Sequence, residues 1–336
     1  MNRITSSNAR QHLYAASVIA TSEDVAKLAG VSRATVSQIL NGRGERFASA
    51  TRERVAHAAA ELEYQPSAAG RTLAMGSSDI VIALVPNTTF GGNLQDIFQT
   101  ATEELATRGL TLLLHLSGSG TGTLDRLIAG MKPRAVVSLT PFSPSERHLL
   151  EARGVKAFDP TTAGPNRDVN AEIGALQAGH LISRGYARLA FAHLHDARQD
   201  PFGEGREAGV RAECMAAGLP EPASVRLGIS MPDALAAIDS LDLPGVGIAC
   251  YNDDVATTLL SAATLRGWTV PQDVGLVGMD NTPLSAVTVP PLTTVGYDLK
   301  AVAYNLITAA LSGIGEQVTD RELADAHFAL TERASS

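Results

Sequence analysis

The sequence predicts an α/β protein in which a small helical unit precedes a larger core of alternating strands and helices. Three observations lead there. Residues 21–42, TSEDVAKLAGVSRATVSQILNG, carry apolar positions at helical spacing on both sides of a glycine. From residue 79 onward short apolar runs alternate with amphipathic stretches, as in parallel sheets covered by helices on both faces. And 336 residues exceed one small domain, suiting a head plus a core of one or two lobes.

Composition bounds the class. Hydrophobic residues make up 45% and charged residues 18%, which predicts an ordered, soluble chain. No apolar run reaches the length that spans a bilayer. The first twenty residues lack an apolar segment ahead of a cleavage-like site, so no secretory signal is expected. Cys214 and Cys250 are the only cysteines, too few for a disulfide scaffold and placed in apolar context like reduced core thiols. The expectation is a cytoplasmic protein without a membrane partner. Net charge is −8, but residues 1–76 carry +3 and the remainder −11. A mildly basic head on an acidic bulk is compatible with nucleic-acid binding through docking geometry, with weak non-specific affinity.

Taken in order, residues 1–20 are expected to be a flexible N-terminal extension. Residues 21–65 form a helix-turn-helix unit. Thr21 and Asp24 have capping-box spacing, Val25, Leu28 and Ala29 give the first helix an apolar face, and Gly30 permits a tight turn. Ser32 caps a second helix whose Val36, Ile39 and Leu40 face inward. Arg33, Ala34, Ser37, Gln38 and Asn41 are left outward, residue types suited to base edges and phosphates. A third helix at about 49–63 buries Val55, Ala59 and Leu62. Residues 66–76 follow as a short hinge: Pro66 sets its entry, Ser67 caps about two turns, and Gly70 weakens them, because a helix so short nucleates poorly alone.

In the core, Ile80–Val85, Leu110–His115, Ala135–Leu139, Leu189–His193, Val246–Cys250 and Val274–Val277 read as buried strands. Segments 93–108, 170–184, 203–217 and 252–266 read as helices. The C-terminal half repeats the same units, which implies two similar lobes, and such sheets bind ligands beyond the carboxyl ends of their strands. The glycine-rich stretch 118–122 lacks the spacing and acidic partner of a dinucleotide loop. His193 and His195 have no third ligand in view, so no metal site is expected. Neither Cys214 nor any serine carries a nucleophile motif, and the chain is expected to be no enzyme and to need no cofactor.

The motifs Asp24-Val25-Ala26, Ala29-Gly30-Val31-Ser32, Thr35-Val36-Ser37 and Leu40-Asn41-Gly42 closely resemble the headpiece of the lactose-repressor (LacI/GalR) family of bacterial regulators. Downstream, Tyr251-Asn252-Asp253, Val277-Gly278-Met279-Asp280-Asn281 and Pro290-Pro291-Leu292-Thr293-Thr294-Val295 resemble the type I periplasmic-binding-protein-like core of the same family. The resemblance covers about residues 21–334 and makes 77–334 a two-lobed effector-binding and dimerisation domain, with a first-lobe return near 292–311. It implies a homodimeric repressor that binds a pseudo-palindromic operator. Arg33 would take guanine, Ala34 a thymine methyl and Gln38 adenine, while Thr21, Ser32, Thr35, Ser37 and Asn41 support register and backbone contact. Ser67, Gly70, Arg71 and Leu73 would form the hinge, with Leu73 as a minor-groove wedge. Where relatives cap the third helix with serine, this chain has Ala48.

The same resemblance implies a small-molecule effector, a sugar among the candidates, bound between the lobes. Arg206, Asn252 and Asp280 inherit contact roles, and Asn87, Phe90 and Asn93 line the first strand's mouth. This chain departs from the family pattern at Phe90-Gly91-Gly92-Asn93, Asn170-Ala171 and Tyr297, which leaves the effector's identity open. The rival classes are a solute-binding-protein-like ligand sensor and a nucleotide-dependent α/β enzyme. The headpiece argues against the first, and only the glycine-rich stretch speaks for the second.

Overall fold

The structure is a computed structural model that describes residues 20–42, 44–65, 72, 76–88, 92–117, 120–161, 168–196, 198, 200–241, 244–316 and 327–336. The expected extension and hinge fall almost wholly outside these residues, and so do Ser67, Gly70, Arg71, Leu73 and Phe90. The chain divides into two compact units between Ser78 and Asp79.

The first unit contains α1 (Ser22–Ala29), α2 (Arg33–Leu40) and α3 (Ser49–Glu61). Thr21 and Asp24 form the reciprocal capping box, which satisfies amides that the first helical turn leaves without partners. Gly30, at φ 65°, ends α1 in the left-handed region where side chains pay a steric penalty. The Ser32 hydroxyl then accepts the Thr35 amide to start α2. Val25, Ala29, Val36, Val55 and Ala58 form the buried centre, with Ile39, Leu40 and Leu62 packed around it. Leu28, expected on the buried face, is 48% exposed. Val25, Ala26 and Ala29 take the inward stripe, and Leu28 falls on its rim beside Arg54 and His57 of α3. Ala48 makes no capping bond; Ser49 instead donates to Glu53 at 2.9 Å.

The second unit has two sheets. One runs β2-β1-β3-β4, all parallel, from β1 (Ile80–Val85), β2 (Thr111–Leu116), β3 (Ala135–Ser138) and β4 (Lys156–Phe158). Its helices are α4 (Gly92–Ala106), α5 (Gly122–Met131) and α6 (Pro144–Ala152). The other runs β10-β9-β8-β7-β5-β6, from β5 (Arg188–Leu194), β6 (Ala223–Leu227), β7 (Val246–Cys250), β8 (Val274–Met279), β9 (Thr293–Tyr297) and β10 (Phe328–Thr331), with α7 (Val169–Ser183), α8 (Gly203–Ala216), α9 (Met231–Asp239) and α10 (Asp253–Leu265). Strands β7 and β8 are buried along their whole length and β5 beyond its first residue, which explains their continuous apolar runs.

The expected parallel sheets are present, with one antiparallel addition, β10 on β9. One expectation needs correction: β9 belongs to the second sheet, parallel to β8, so among the described residues the return to the first lobe is made by α11 (Leu299–Gly313). Ile307, Ala310 and Leu311 of that helix pack on Val81, Ala83 and Phe98.

Against the second sheet, α7 and α8 pack so closely that two glycines are required. A Cβ at Gly174 would stand 1.8 Å from the Arg206 carbonyl oxygen, and one at Gly209 2.0 Å from that of Ala171. This contact sets the position of α8, and with it Arg206.

Candidate DNA-reading surface and effector cleft

On the first unit, Arg33, Ala34 and Ser37 are exposed along one side of α2, while Thr35, Gln38 and Asn41 are half-buried. Local hydrogen bonds order most of them. Arg33 Nε donates to the Ser22 hydroxyl at 3.1 Å, Thr35 and Ser32 hydroxyls are 2.9 Å apart, and Asn41 Nδ2 donates to Ser37 Oγ at 3.2 Å. Thr21 donates its hydroxyl to Asp24 at 2.7 Å, and these Thr21 bonds hold the Asp24 carboxyl below its usual range. Gln38 Oε1 accepts a hydrogen bond from Arg46, whose guanidinium lies over the Phe47 ring at 5.2 Å. Arg46 carries no signal in the sequence, because it stands in the α2–α3 loop, where no periodicity points to it.

The second unit brings together residues from six segments. Arg206, on the first turns of α8, is only 6% exposed. Its guanidinium lies 5.1 Å from the Tyr251 ring centre and 5.4 Å from that of Phe202, within cation–π range. It donates to the Tyr251 carbonyl and, through Nε, to Asn170 Oδ1 at 3.4 Å. Phe202 and Tyr251 are stacked, their centres 6.4 Å apart. From the first lobe, the Thr88 hydroxyl meets the Tyr251 hydroxyl at 3.0 Å. Asn93 donates to the Asp280 carbonyl and also bonds Tyr297. Burial raises both tyrosine hydroxyls above the usual phenol range.

Asp280 follows β8 with φ 106°, an outlier that needs support. Support comes from behind. Asp253 accepts the Thr282 amide at 2.7 Å and the Thr294 hydroxyl at 2.6 Å, and Asn281 donates its amide to Thr294 Oγ1 at 3.2 Å. Arg333 Nη2 then holds Asn281 Oδ1 at 2.7 Å. Desolvation pushes the Asp280 carboxyl up to about 7; Arg206 pulls against this, while Asp253 and Asp254 add to it. A carboxyl so poised, beside a forked guanidinium, can donate or accept to ligand hydroxyls.

The expected residues therefore have different fates. Arg206, Asp280 and Asn93 come together. Asn252, 4% exposed, commits its Oδ1 to the Val255 amide at 3.0 Å as the cap of α10. Asn87 is exposed at the end of β1. Thr88, Asn170, Phe202, Tyr251 and Tyr297 join without having been singled out as ligand contacts. Tyr251 immediately precedes Asn252 at a strand's carboxyl end, and that position was the available signal. Among the described residues no helix is long and apolar enough to cross a membrane, and no cluster could hold a metal ion.

Comparison with known proteins agrees with both halves. Residues 21–67 match the bacterial regulatory proteins of the lacI family, and residues 178–336 match the periplasmic binding protein-like domain. The HTH-type transcriptional regulator GntR of Pseudomonas aeruginosa is 32% identical, over 94% of this chain and 95% of that protein. The chain belongs to the LacI family. The HTH-type transcriptional repressor PurR of Vibrio atlanticus is 26% identical over 94% of this chain and 98% of its own. Among solved structures, the Lac repressor dimer bound to operator and the anti-inducer ONPF has the same fold, with a TM-score of 0.73, 21% identity and coverage of 94% of this chain and 98% of that one. The complex of the regulator CelR with cellobiose gives 0.64 at 24% identity, covering 94% of this chain and all of that one. This LacI-family member is a DNA-binding transcriptional regulator, not an enzyme.

Proposed function

We propose that this regulator is a cytoplasmic, homodimeric repressor whose affinity for a pseudo-palindromic operator changes when a small molecule binds between its two lobes. The domain limits 21–65, 66–76 and 77–334 divide these tasks. In the headpiece, α2 enters the major groove, with Arg33, Ala34 and Gln38 on base edges and Thr21, Ser32, Thr35, Ser37 and Asn41 fixing register. Ser67, Gly70, Arg71 and Leu73 order as a hinge on DNA, with Leu73 as the apolar wedge.

The observation that carries the effector half is the convergence of Thr88 and Asn93 from one lobe with Tyr251, Arg206 and Asp280 from the other. A ligand held by both lobes has different contacts in different lobe closures, and only such differential contact shifts a conformational equilibrium. The Arg206–Asp280 pair beside stacked aromatic rings suits a polyhydroxylated ring, such as the cellobiose bound by CelR. The coupling such sites reach is ~1–3 kcal/mol.

The test is gel mobility of the full chain on DNA from its own upstream region, with and without cellobiose and other sugars, nucleosides and small acids. Specific binding altered by one compound, and no longer altered in Arg206→Ala, is the expected result. No specific binding under any condition overturns the repressor; specific binding that no compound changes overturns the effector reading.

A further inference from the structure

A buried polar cluster lies behind the cleft. His193, at the end of β5, is completely buried. Its Nδ1 is 2.7 Å from Asp200 Oδ2 and its Nε2 is 3.1 Å from Glu207 Oε2. Both carboxylates are themselves nearly enclosed, with side-chain exposures of 11% and 7%. A neutral imidazole has one donor nitrogen and one acceptor. Two carboxylate oxygens at hydrogen-bond distance are both served when each ring nitrogen carries hydrogen, as in an imidazolium. Arg211 adds a cation at the outer edge, 3.6 Å from Glu207 and 3.0 Å from Glu221. Removing one member of such a buried set leaves an uncompensated charge, which is costly.

The partners of His193 lie on either side of the cleft residues of α8. Asp200 accepts the Gly203 amide through Oδ1 at 2.6 Å, tying down the start of the helix, and a Cβ at Gly203 would stand 2.2 Å from that carboxylate. Glu207 follows Arg206 directly. Phe202 and Arg206 thus sit between two points that His193 fastens to β5. Asn170 and the Tyr251 carbonyl hold the guanidinium from the other side.

We propose that His193 is a positioning residue: by donating from both ring nitrogens to Asp200 and Glu207, it clamps the first turns of α8 and holds Arg206 and Phe202 against Tyr251 at the cleft. Its consequence for effector affinity rests on the effector reading above; its control of Arg206 does not.

Two measurements on the full chain test the clamp, and neither uses effector or operator, so the clamp and the effector reading fail separately. In the first, histidine side chains are labelled with nitrogen-15 and the ring signals of His193 are assigned by their loss in His193→Gln. Two protonated nitrogens at neutral pH are expected. A bare Nε2 or Nδ1 would overturn the clamp, since the hydrogen would then reside on a carboxyl group. In the second, phenylglyoxal modification of Arg206 is followed by peptide mass spectrometry, with the buried thiols of Cys214 and Cys250 as folding reporters. In His193→Leu, Arg206 should react on the order of tenfold faster, as a local opening eased by one decade would allow, while both thiols stay protected. Unchanged Arg206 reactivity with protected thiols overturns the proposal. If the thiols of His193→Leu become reactive, the lobe has opened as a whole and His193→Gln decides. It keeps a donor toward Glu207, so severalfold faster modification supports the clamp and wild-type reactivity overturns it.

Discussion

The headpiece and the cleft solve the same problem, presenting polar groups to a partner, by opposite means. On α2 the residues proposed to read DNA lie within nine positions, Arg33 to Asn41, and their support is local: Ser32 to Thr35, Asn41 to Ser37, and Arg33 to Ser22. In the cleft, Thr88, Asn170, Arg206, Tyr251 and Asp280 come from places up to 192 residues apart and meet only because two sheets and the α7–α8 contact bring them together. The lesson concerns fragility. A local surface fails one side chain at a time, whereas an assembled one fails when any scaffold contact moves.

The largest expected effect breaks the assembled side alone. Gly209→Ala adds a methyl group 2.0 Å from the Ala171 carbonyl and 2.9 Å from the Ala175 amide, backbone atoms that cannot rotate away. Overpacking of this kind costs about 3 kcal/mol, and the better helix propensity of alanine returns only about 1 kcal/mol. Denaturant titration should show the second unit weakened by about 2 kcal/mol net, on those same magnitudes. The headpiece helices should unfold as in the parent chain. An unchanged second unit would mean that α7 and α8 yield more readily than their spacing indicates.

That difference also explains what the sequence disclosed. The capping box, the Gly30 turn and the Ser32 cap were legible because each is a relation across three residues or so, and such relations need no knowledge of the fold. Strands β1, β3, β5, β7 and β8 were legible as apolar runs because both of their faces are covered; β2 was legible too, but it is partly exposed rather than buried as expected. Strands β4, β6, β9 and β10 were not, being short or partly exposed, and helices α5, α6, α9 and α11 went unnamed among the amphipathic stretches. In the site, Arg206 and Asp280 were reached through motif. Phe202, Tyr251 and Tyr297 were not, since aromatic residues beside strands look like core until the first lobe supplies Thr88 and Asn93. Asp200 and Glu207 stayed invisible as partners of His193 for the same reason.

A second prediction sharpens the comparison through pH. Asp280 is raised from 3.8 to about 7, so between those values the folded chain holds a proton that the unfolded chain has lost. Stability contributed by that proton is present at the acid end and is lost as pH rises toward 7, the sign linkage requires when the native state binds more protons. Asp280→Asn abolishes the titration. The variant should therefore gain on the parent by about 2 kcal/mol between pH 4 and 7, with solvent reach keeping the figure below the full linkage value. A constant difference across that range would return Asp280 to an ordinary carboxylate.

On the local side, Gln38→Ala tests the reading surface without touching a core. If Gln38 takes an adenine edge, its loss should cost about 1.5 kcal/mol against the preferred operator and flatten discrimination at one base pair. Arg46→Ala should share part of that change, because Arg46 holds Gln38 Oε1. Equal weakening on all sequences would instead assign both residues to backbone contact, and it would lessen the salt dependence as well.

The smallest effect is the most local. Ser32→Ala deletes the oxygen that accepts the Thr35 amide at 3.1 Å, and a lost N-cap typically costs about 1 kcal/mol. Ser32→Asp keeps an acceptor there and adds charge that favours a helix start, so it should restore headpiece stability in thermal unfolding. On the proposed docking it should still bind operator less well than the parent, because the new charge would face phosphate. A variant that regained stability and operator affinity together would remove Ser32 from the DNA surface and leave it a cap alone. That outcome would separate, within one turn of helix, the residues that build the reading surface from those that read.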